Sequence, residues 1–518
     1  MTLARALGVA VVGVDGHLVE VEADLADGLP CFTLIGLPDA ALAEARDRIR
    51  AAIVNSGESW PSRRLTVGLS PATLRKSGSG FDVAMAAAVL AAAGVVPATA
   101  LAGVVVLGEL ALDGRVRRAR GILPAVLAAS RAGIERIVVP HGNVAEAELV
   151  PGVRVHGVRD LRDLLRLLRG EPPLESPDPL ASPGNQQGER SAAARVRTDP
   201  LPDLADVLGQ PQGRRALEVA AAGGHHLYLL GPPGAGKTML AERLPSLLPA
   251  LEFEAALEVT AVHSVAGTLP ADCPLITTAP FRSPHHTATV AALVGGGSGY
   301  AKPGEASLAH FGVLLLDEAP EFASGVLDAL RQPLESGVIS IARSGATTRY
   351  PAKFTLVLAA NPCPCANSTQ GALRCTCSST ARRRYLGRLS GPLLDRIDMQ
   401  VVLYAVSRAD LLTDRSAEPS AIVAARVAQA RVRASARLAG TPWRTNAEVP
   451  GRELRRRWPP RRGDLSKAAR ALENGALTAR GFDRVLRVAW TLADLADRER
   501  PGNDEIDEAL ALKLMAAA

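Results

Sequence analysis

Gly231-Pro232-Pro233-Gly234-Ala235-Gly236-Lys237-Thr238 follows directly on the apolar run His226-Leu227-Tyr228-Leu229-Leu230, and this junction decides the fold. The pattern G-x-x-x-x-G-K-[ST] between a strand and a helix start makes a loop whose backbone N–H groups close around phosphates. Its glycines permit the tight turn, Lys237 reaches the outer phosphate oxygens, and the Thr238 hydroxyl is placed to hold Mg²⁺. A chance glycine-rich turn is the plain alternative, and a complete match in a strand-to-helix setting argues against it. All eight residues, Gly231 to Thr238, are therefore expected to bind ATP with Mg²⁺.

Further strands lead to the same place. Gly312-Val313-Leu314-Leu315-Leu316 ends in Asp317-Glu318. Asp317 would join Thr238 on Mg²⁺, and Glu318 would orient and polarise the attacking water. Phe354-Thr355-Leu356-Val357-Leu358-Ala359-Ala360 ends at Asn361, whose amide can hydrogen-bond the γ-phosphate or that water. Strand ends converging on one phosphate are what the carboxyl edge of a parallel sheet supplies. Next comes Gly391-Pro392-Leu393-Leu394-Asp395-Arg396-Ile397-Asp398, where spacing alone reads Arg396 equally well as a plain surface ion pair.

The order phosphate loop, Asp-Glu, Asn, Leu-Asp-Arg-Ile-Asp resembles the AAA+ ATPases, which implies that Arg396 reaches the γ-phosphate bound by a neighbouring subunit, and hence a ring. Four further stretches narrow the likeness: Phe281-Arg282-Ser283-Pro284-His285-His286-Thr287, Pro303-Gly304-Glu305-Ala306-Ser307-Leu308-Ala309-His310, Leu330-Arg331-Gln332-Pro333-Leu334-Glu335 and Asn361-Pro362-Cys363-Pro364-Cys365. They resemble the magnesium-chelatase-like ATPases, and within them the YifB/ComM group, from about residue 8 to the C-terminus. The resemblance implies a homohexamer acting on single-stranded or branched DNA as a helicase that promotes branch migration during recombination of incoming DNA. It also implies a lid arginine at Arg480, with Arg484 and Arg487 one turn on as substitutes. Pore-facing segments would lie near 265–307 and 337–351, with Lys302, Arg343 and Arg349 as nucleic-acid contacts.

Lys76-Ser77-Gly78-Ser79-Gly80-Phe81-Asp82-Val83-Ala84-Met85-Ala86 and Gly108-Glu109-Leu110-Ala111-Leu112-Asp113-Gly114-Arg115-Val116 resemble the proteolytic domain of Lon-type proteases. Registering these motifs puts Gly80 at the nucleophile position and Leu123 at the lysine position, so both catalytic groups are missing. Lys76 beside Ser77 or Ser79 does not repair this, because adjacency in sequence does not supply base-to-nucleophile geometry. The expected fold is thus multidomain α/β. An N-terminal Lon-protease-like (ribosomal S5 domain 2-like) α+β domain spans 1–170 without a catalytic dyad, and a Pro-rich linker spans 171–200. A central AAA+ P-loop α/β domain follows over 201–406, and a C-terminal α-helical lid over 407–518. Asp203-Leu204-Ala205-Asp206-Val207-Leu208-Gly209-Gln210 looks like the AAA+ stretch that packs near adenine.

Val83 to Leu107 is uncharged and long enough to span a bilayer, but Gly94 and Pro97 break it. A buried helix, a turn and a strand at Val104 to Leu107 are expected, with no membrane partner. Lys+Arg 59 against Asp+Glu 53 gives a net charge of only +6, which neither requires nor excludes a nucleic acid. Six cysteines in a chain of 518 residues read as a reducing, cytoplasmic setting. The N-terminus shows no signal-peptide cleavage pattern.

Cys363, Cys365, Cys375 and Cys377 form two C-x-C pairs, and four thiolates suit a closed, structural Zn²⁺ site. Free reduced thiols are the alternative. Arg452-Glu453-Leu454-Arg455-Arg456-Arg457-Trp458-Pro459-Pro460-Arg461-Arg462 is the densest basic run, fit either for phosphate contact with a stacked base or for a solvated face. His285-His286 lacks matching ligands and reads as a hydrogen-bonding pair. Three function classes compete: a DNA translocase or helicase, a magnesium-chelatase-type metal-insertion or protein-remodelling motor, and a protease. The missing dyad counts against the last.

Overall fold

The computed structural model describes residues 2–36, 44–74, 76, 78, 80–172, 201–270, 272–297, 301–343, 346–365, 375–406, 417–460 and 465–514. The N-terminal unit is built on β1 (Thr2–Val12), β2 (Asp15–Ala26), β3 (Cys31–Ile35), β4 (Arg64–Ser70) and β5 (Val104–Val106), the short pair β6 (Glu109–Leu110) and β7 (Val116–Arg117), then β8 (Arg136–Pro140) and β9 (Arg154–Val158). Seven of these form one mixed sheet in the order β3-β4-β2-β1-β5-β8-β9. β2 alternates between buried and half-exposed positions, as a strand with one face on a core must. The apolar stretch becomes the helix Asp82–Ala92, buried at every residue, a turn at Ala98–Leu101 and β5. No helix among the described residues is long and apolar enough to cross a membrane.

The Lon-like positions carry packing contacts. The Gly80 carbonyl accepts from Gly108 N–H at 3.2 Å. Lys76 is fully buried, donates to the Leu69 carbonyl at 3.0 Å and to the Pro71 carbonyl, and is held below the ordinary lysine range by that burial. Ser77 and Ser79 lie outside the described residues. Asp82, at the start of the buried helix, takes Arg48 Nε and Nη2 at 2.9 and 3.0 Å. Burial nevertheless pushes its carboxyl up to about 6.

The second sheet consists of β10 (Leu227–Leu230), β11 (Phe281–Arg282), β12 (Val313–Leu316), β15 (Thr355–Ala360) and β16 (Met399–Val402), while β13 (Val338–Arg343) and β14 (Ala346–Pro351) form a separate hairpin. Its order is β11-β12-β15-β10-β16 and every pairing is parallel. Helices cover both faces, and β10 and β12 are accordingly unbroken apolar runs. Leu230 pairs with Ala360 and Leu316 with Leu358, which brings the ends of β10, β12 and β15 to nearly one level.

The N-terminal unit is fastened to the nucleotide domain. Ile122, Val126 and Val139 share one core with Leu257 and Ala261 of the helix Phe253–Ala266. Beside that core the buried Glu146 carboxylate accepts from Leu123 N–H at 3.0 Å, from the Asn143 amide at 2.8 Å and from the Ser264 hydroxyl. The β1–β2 turn abuts the hairpin β13–β14: a Cβ on Gly13, whose φ is +68°, would stand 2.5 Å from the Arg349 carbonyl oxygen. Of the expected linker 171–200, residues 173–200 lie outside the described residues.

Helices Ser420–Leu438, Gly451–Arg457, Ser466–Glu473, Ala479–Leu495 and Asn503–Leu514 follow. They join the nucleotide domain through a continuous core that includes Leu217, Val427, Val488 and Ile506, and through Asp398. This residue, 1% exposed, accepts from His226 N–H at 2.9 Å and pairs with Arg484 of the helix Ala479–Leu495. Burial alone would push its carboxyl up; Arg484, His225 and His226 outweigh it and hold the group well below the usual aspartate range. Lys513 closes the network by donating to the Ile397 carbonyl at 2.6 Å.

Removing one partner of a buried pair strands the other charge, so Asp398→Asn should cost about 3–5 kcal/mol in denaturant unfolding at neutral pH. A depressed carboxyl pKa contributes stability above the unfolded value and loses it as pH falls through the folded one. The gap between parent and variant should therefore hold down to about pH 4 and close below it.

Candidate nucleotide-hydrolysis site

The turn from β10 into the helix Lys237–Leu247 requires left-handed backbone at Gly234 (φ +76°) and Gly236 (φ +81°), which glycine adopts without strain. Gly231 passes so close to β16 that a Cβ there would lie 2.7 Å from the Leu403 carbonyl oxygen. Lys237 Nζ donates to the Gly231 and Pro232 carbonyls at 2.7 and 2.9 Å and to Asn361 Oδ1 at 2.9 Å. Burial holds this lysine below its ordinary range against the opposing pull of Asp317 and Glu318. The phosphate loop and the end of β15 thus meet at one ammonium group.

Thr238 Oγ1 lies 2.5 Å from Asp317 Oδ2. A hydroxyl and a carboxylate at this separation are oxygen ligands of the kind Mg²⁺ takes beside triphosphate oxygens, so Thr238 and Asp317 fit that ion. Glu318 has φ +51°, a conformation that costs a non-glycine residue about 1–2 kcal/mol. Backbone strain of this kind is characteristic of functional positions. Its carboxylate is met by a residue that sequence reasoning did not place here: His286 Nδ1 stands 3.1 Å from Glu318 Oε2, and the His286 ring lies 4.1 Å from that of His285. The only sequence signal was the His-His dipeptide following β11, the strand next to β12.

The two other arginine positions lie apart from the phosphate loop. Arg396 is paired with Glu335 and donates to the Pro392 carbonyl at 2.6 Å, while its Nε is buried with no hydrogen-bond partner. Arg480 is exposed, with no ion-pair or hydrogen-bond partner among the described residues. It lines a cleft with Glu335, Asp483, Arg484 and Arg487, and no residue of 231–238 lines that cleft. Arg484 is taken by Asp398 and the Asp395 carbonyl, and Arg487 donates to the Val449 carbonyl at 2.7 Å. Of Arg480, Arg484 and Arg487, Arg480 is the one without a partner among the described residues.

The four cysteines come together. Cys363 Sγ lies 3.3 Å from Cys365 Sγ and 3.3 Å from Cys375 Sγ, Cys365 and Cys375 are 3.5 Å apart, and with Cys377 all four sulfurs fall within 4.8 Å. Tetrahedral Zn²⁺ with Zn–S bonds of about 2.3 Å needs sulfurs about 3.8 Å apart, and this set fits. Lys302 pairs backbone with Gly296, and Arg349 sits exposed on β14; the side chain of Arg343 lies outside the described residues.

Comparison with known proteins adds the lineage. Three family models match: magnesium chelatase, subunit ChlI, over residues 203–411; subunit ChlI of Mg-chelatase over 21–143; and magnesium chelatase, subunit ChlI C-terminal, over 417–513. An uncharacterised protein of Mycobacterium tuberculosis is 53% identical over 513 residues, 99% of each chain. Competence protein ComM of Haemophilus influenzae is 40% identical over 516 residues, 99% of this chain and 98% of that one. The uncharacterised protein YifB of Escherichia coli is 39% identical over 505 residues, 97% and 96% of the two chains. The chain belongs to the YifB/ComM family of magnesium-chelatase-like proteins. Its magnesium-chelatase-like domain is of the AAA+ type. A weaker likeness, 30% over 174 residues, is to part of a Lon protease of Salinispora arenicola.

Lys237→Ala should abolish tight ATP binding, whereas Glu318→Gln should bind ATP and stall hydrolysis, since it removes only the water-orienting charge. His286→Ala should change the turnover rate while leaving ATP affinity near that of the parent. Equilibrium binding of a fluorescent ATP analogue beside phosphate release separates the three, and parental turnover in the first two would refute the site.

Proposed function

We propose that this chain is a Mg²⁺-dependent, ATP-hydrolysing ring motor acting on DNA, a hexameric helicase that drives branch migration when incoming DNA is recombined. The observation that carries the hydrolytic part is the joint arrival of Lys237, Asn361, Thr238, Asp317 and Glu318 at one strand edge, with two mutual bonds of 2.9 and 2.5 Å. In this reading Lys237 neutralises the terminal phosphates, Thr238 and Asp317 hold Mg²⁺, and Glu318 polarises the water that Asn361 helps to position. Full-length relationship to a protein named for competence favours DNA over other substrates.

The arginines favour a ring. Arg396 pairs with Glu335, and Arg480 lines a cleft with that same Glu335 to which no phosphate-loop residue contributes, which supports arginines turned away from the subunit's own nucleotide. Both are then assigned to the nucleotide of the next subunit, with Arg396 exchanging Glu335 for the γ-phosphate. The four-cysteine cluster is assigned to structural Zn²⁺. It sits between Asn361 and the segment that bears Arg396, where it pins both ends of a loop.

Arg396→Ala should lower ATP turnover by about 10³ or more while single subunits still bind ATP, and mixing it with Glu318→Gln subunits should restore part of the rate at mixed interfaces. A fully active monomer would refute the ring. Branched or single-stranded DNA should raise the parent's ATPase rate; a rate indifferent to DNA would replace the helicase reading with a metal-insertion or protein-remodelling motor. Elemental analysis should find one zinc per chain, and Cys375→Ser should lower both zinc content and protease resistance around 361–396, because metal binding free energy is folding free energy in such a site.

A further inference from the structure

The two densest groups of arginine have opposite fates. In the run near Trp458, Arg455 pairs with Asp483, and Arg456 and Arg457 pair with Glu453 at 2.7 and 2.9 Å. Arg457 also lies over the Trp443 ring, 5.8 Å from its centre. Arg455, Arg456 and Arg457 are thus each engaged by an acid within the chain. Arg382, Arg383 and Arg384, on the helix Ser379–Leu386, are all exposed and have no hydrogen-bond or ion-pair partner among the described residues.

Three adjacent guanidiniums repel one another, and the favourable end of an isolated helix offsets only about 0.3–1 kcal/mol of that at low salt. The surrounding structure nevertheless fixes them. Ser378 caps the helix by accepting from Ala381 N–H at 3.2 Å, one residue after Cys377 of the thiol cluster. At the other end Tyr385 is buried and accepts a backbone hydrogen bond from Asn361, and Arg388 donates to the Pro320 carbonyl at 3.0 Å and to Glu321 at 3.1 Å. At about 100° per residue the trio fans over roughly 200° of the helix surface. No acidic side chain among the described residues pairs with that fan, and guanidinium is the side chain whose fork matches phosphate oxygens.

We propose that Arg382, Arg383 and Arg384 form a contact site for the phosphodiester backbone of a nucleic acid, held at the strand edge by the cysteine cluster and Tyr385. It rests on the DNA reading above and names a part of the surface that meets the DNA. The site reads charge and carries no base specificity.

Binding of a fluorescently labelled single-stranded oligonucleotide to the full-length protein, measured by anisotropy over a series of salt concentrations, tests it. Replacing all three arginines by alanine should lower the log–log salt slope by about 0.7 per lost contact, about 2 in all. Replacement by lysine should retain most of the slope, and ATP hydrolysis without DNA should match the parent in both variants. A parental slope in the alanine variant overturns the inference. So does loss of assembly in sedimentation with an unchanged slope, which would make these arginines subunit contacts. A parent that binds no DNA refutes the DNA reading itself, and this inference with it.

Discussion

Asp398 is a carboxylate with almost no access to water, and a buried charge of this kind costs several kcal/mol unless its surroundings supply partners. Those partners come from separate parts of the chain: His226 at the entrance to β10, the His225 ring at 3.8 Å, and Arg484 from the lid. His225 in turn meets Thr491 on the same lid helix at 2.7 Å, and His226 Nδ1 accepts from Leu356 N–H of β15 at 3.1 Å. Burial holds His226 down at about 4, so it stays neutral and available as that acceptor. The sheet that presents the phosphate loop, the segment that bears Arg396 and the lid are thereby referred to one charge. The lid helix cannot shift without disturbing the chain two residues from Arg396.

Much of the site was readable because its information is local. A phosphate loop, an acidic pair after an apolar run and an amide at a strand end each declare themselves within a few residues, and a parallel sheet brings such ends together. Contacts between distant stretches were not readable in that way. His286 reaches Glu318, and Glu335 takes Arg396, through loop paths that no periodicity encodes. The basic runs are an intermediate case. Glu453 stands three and four residues before Arg456 and Arg457, a helical spacing that foretells pairing, whereas no acid lies within four residues of Arg382 to Arg384. The distinction is in the sequence: one run has an acid at helical spacing and the other has none.

In the N-terminal unit, positions that resemble a Lon-type protease carry packing contacts. At the position registered for a catalytic lysine, Leu123 is buried, and its backbone N–H serves the Glu146 carboxylate that also receives Ser264 from the nucleotide domain. The helix Ile122–Arg131, which bears Leu123, also contributes to the core shared with Phe253–Ala266. These residues act as joinery between the N-terminal unit and the nucleotide domain, through apolar packing and a satisfied carboxylate.

The turn at Gly13 gives this joinery a mechanical meaning. With its α-carbon set against the Arg349 carbonyl, leaving no room even for a methyl group, the N-terminal unit meets the hairpin β13–β14 backbone to backbone. Any side chain at Gly13 would have to displace the strand that carries Arg349, so the smallest residue of the N-terminal unit fixes how near the two backbones stand.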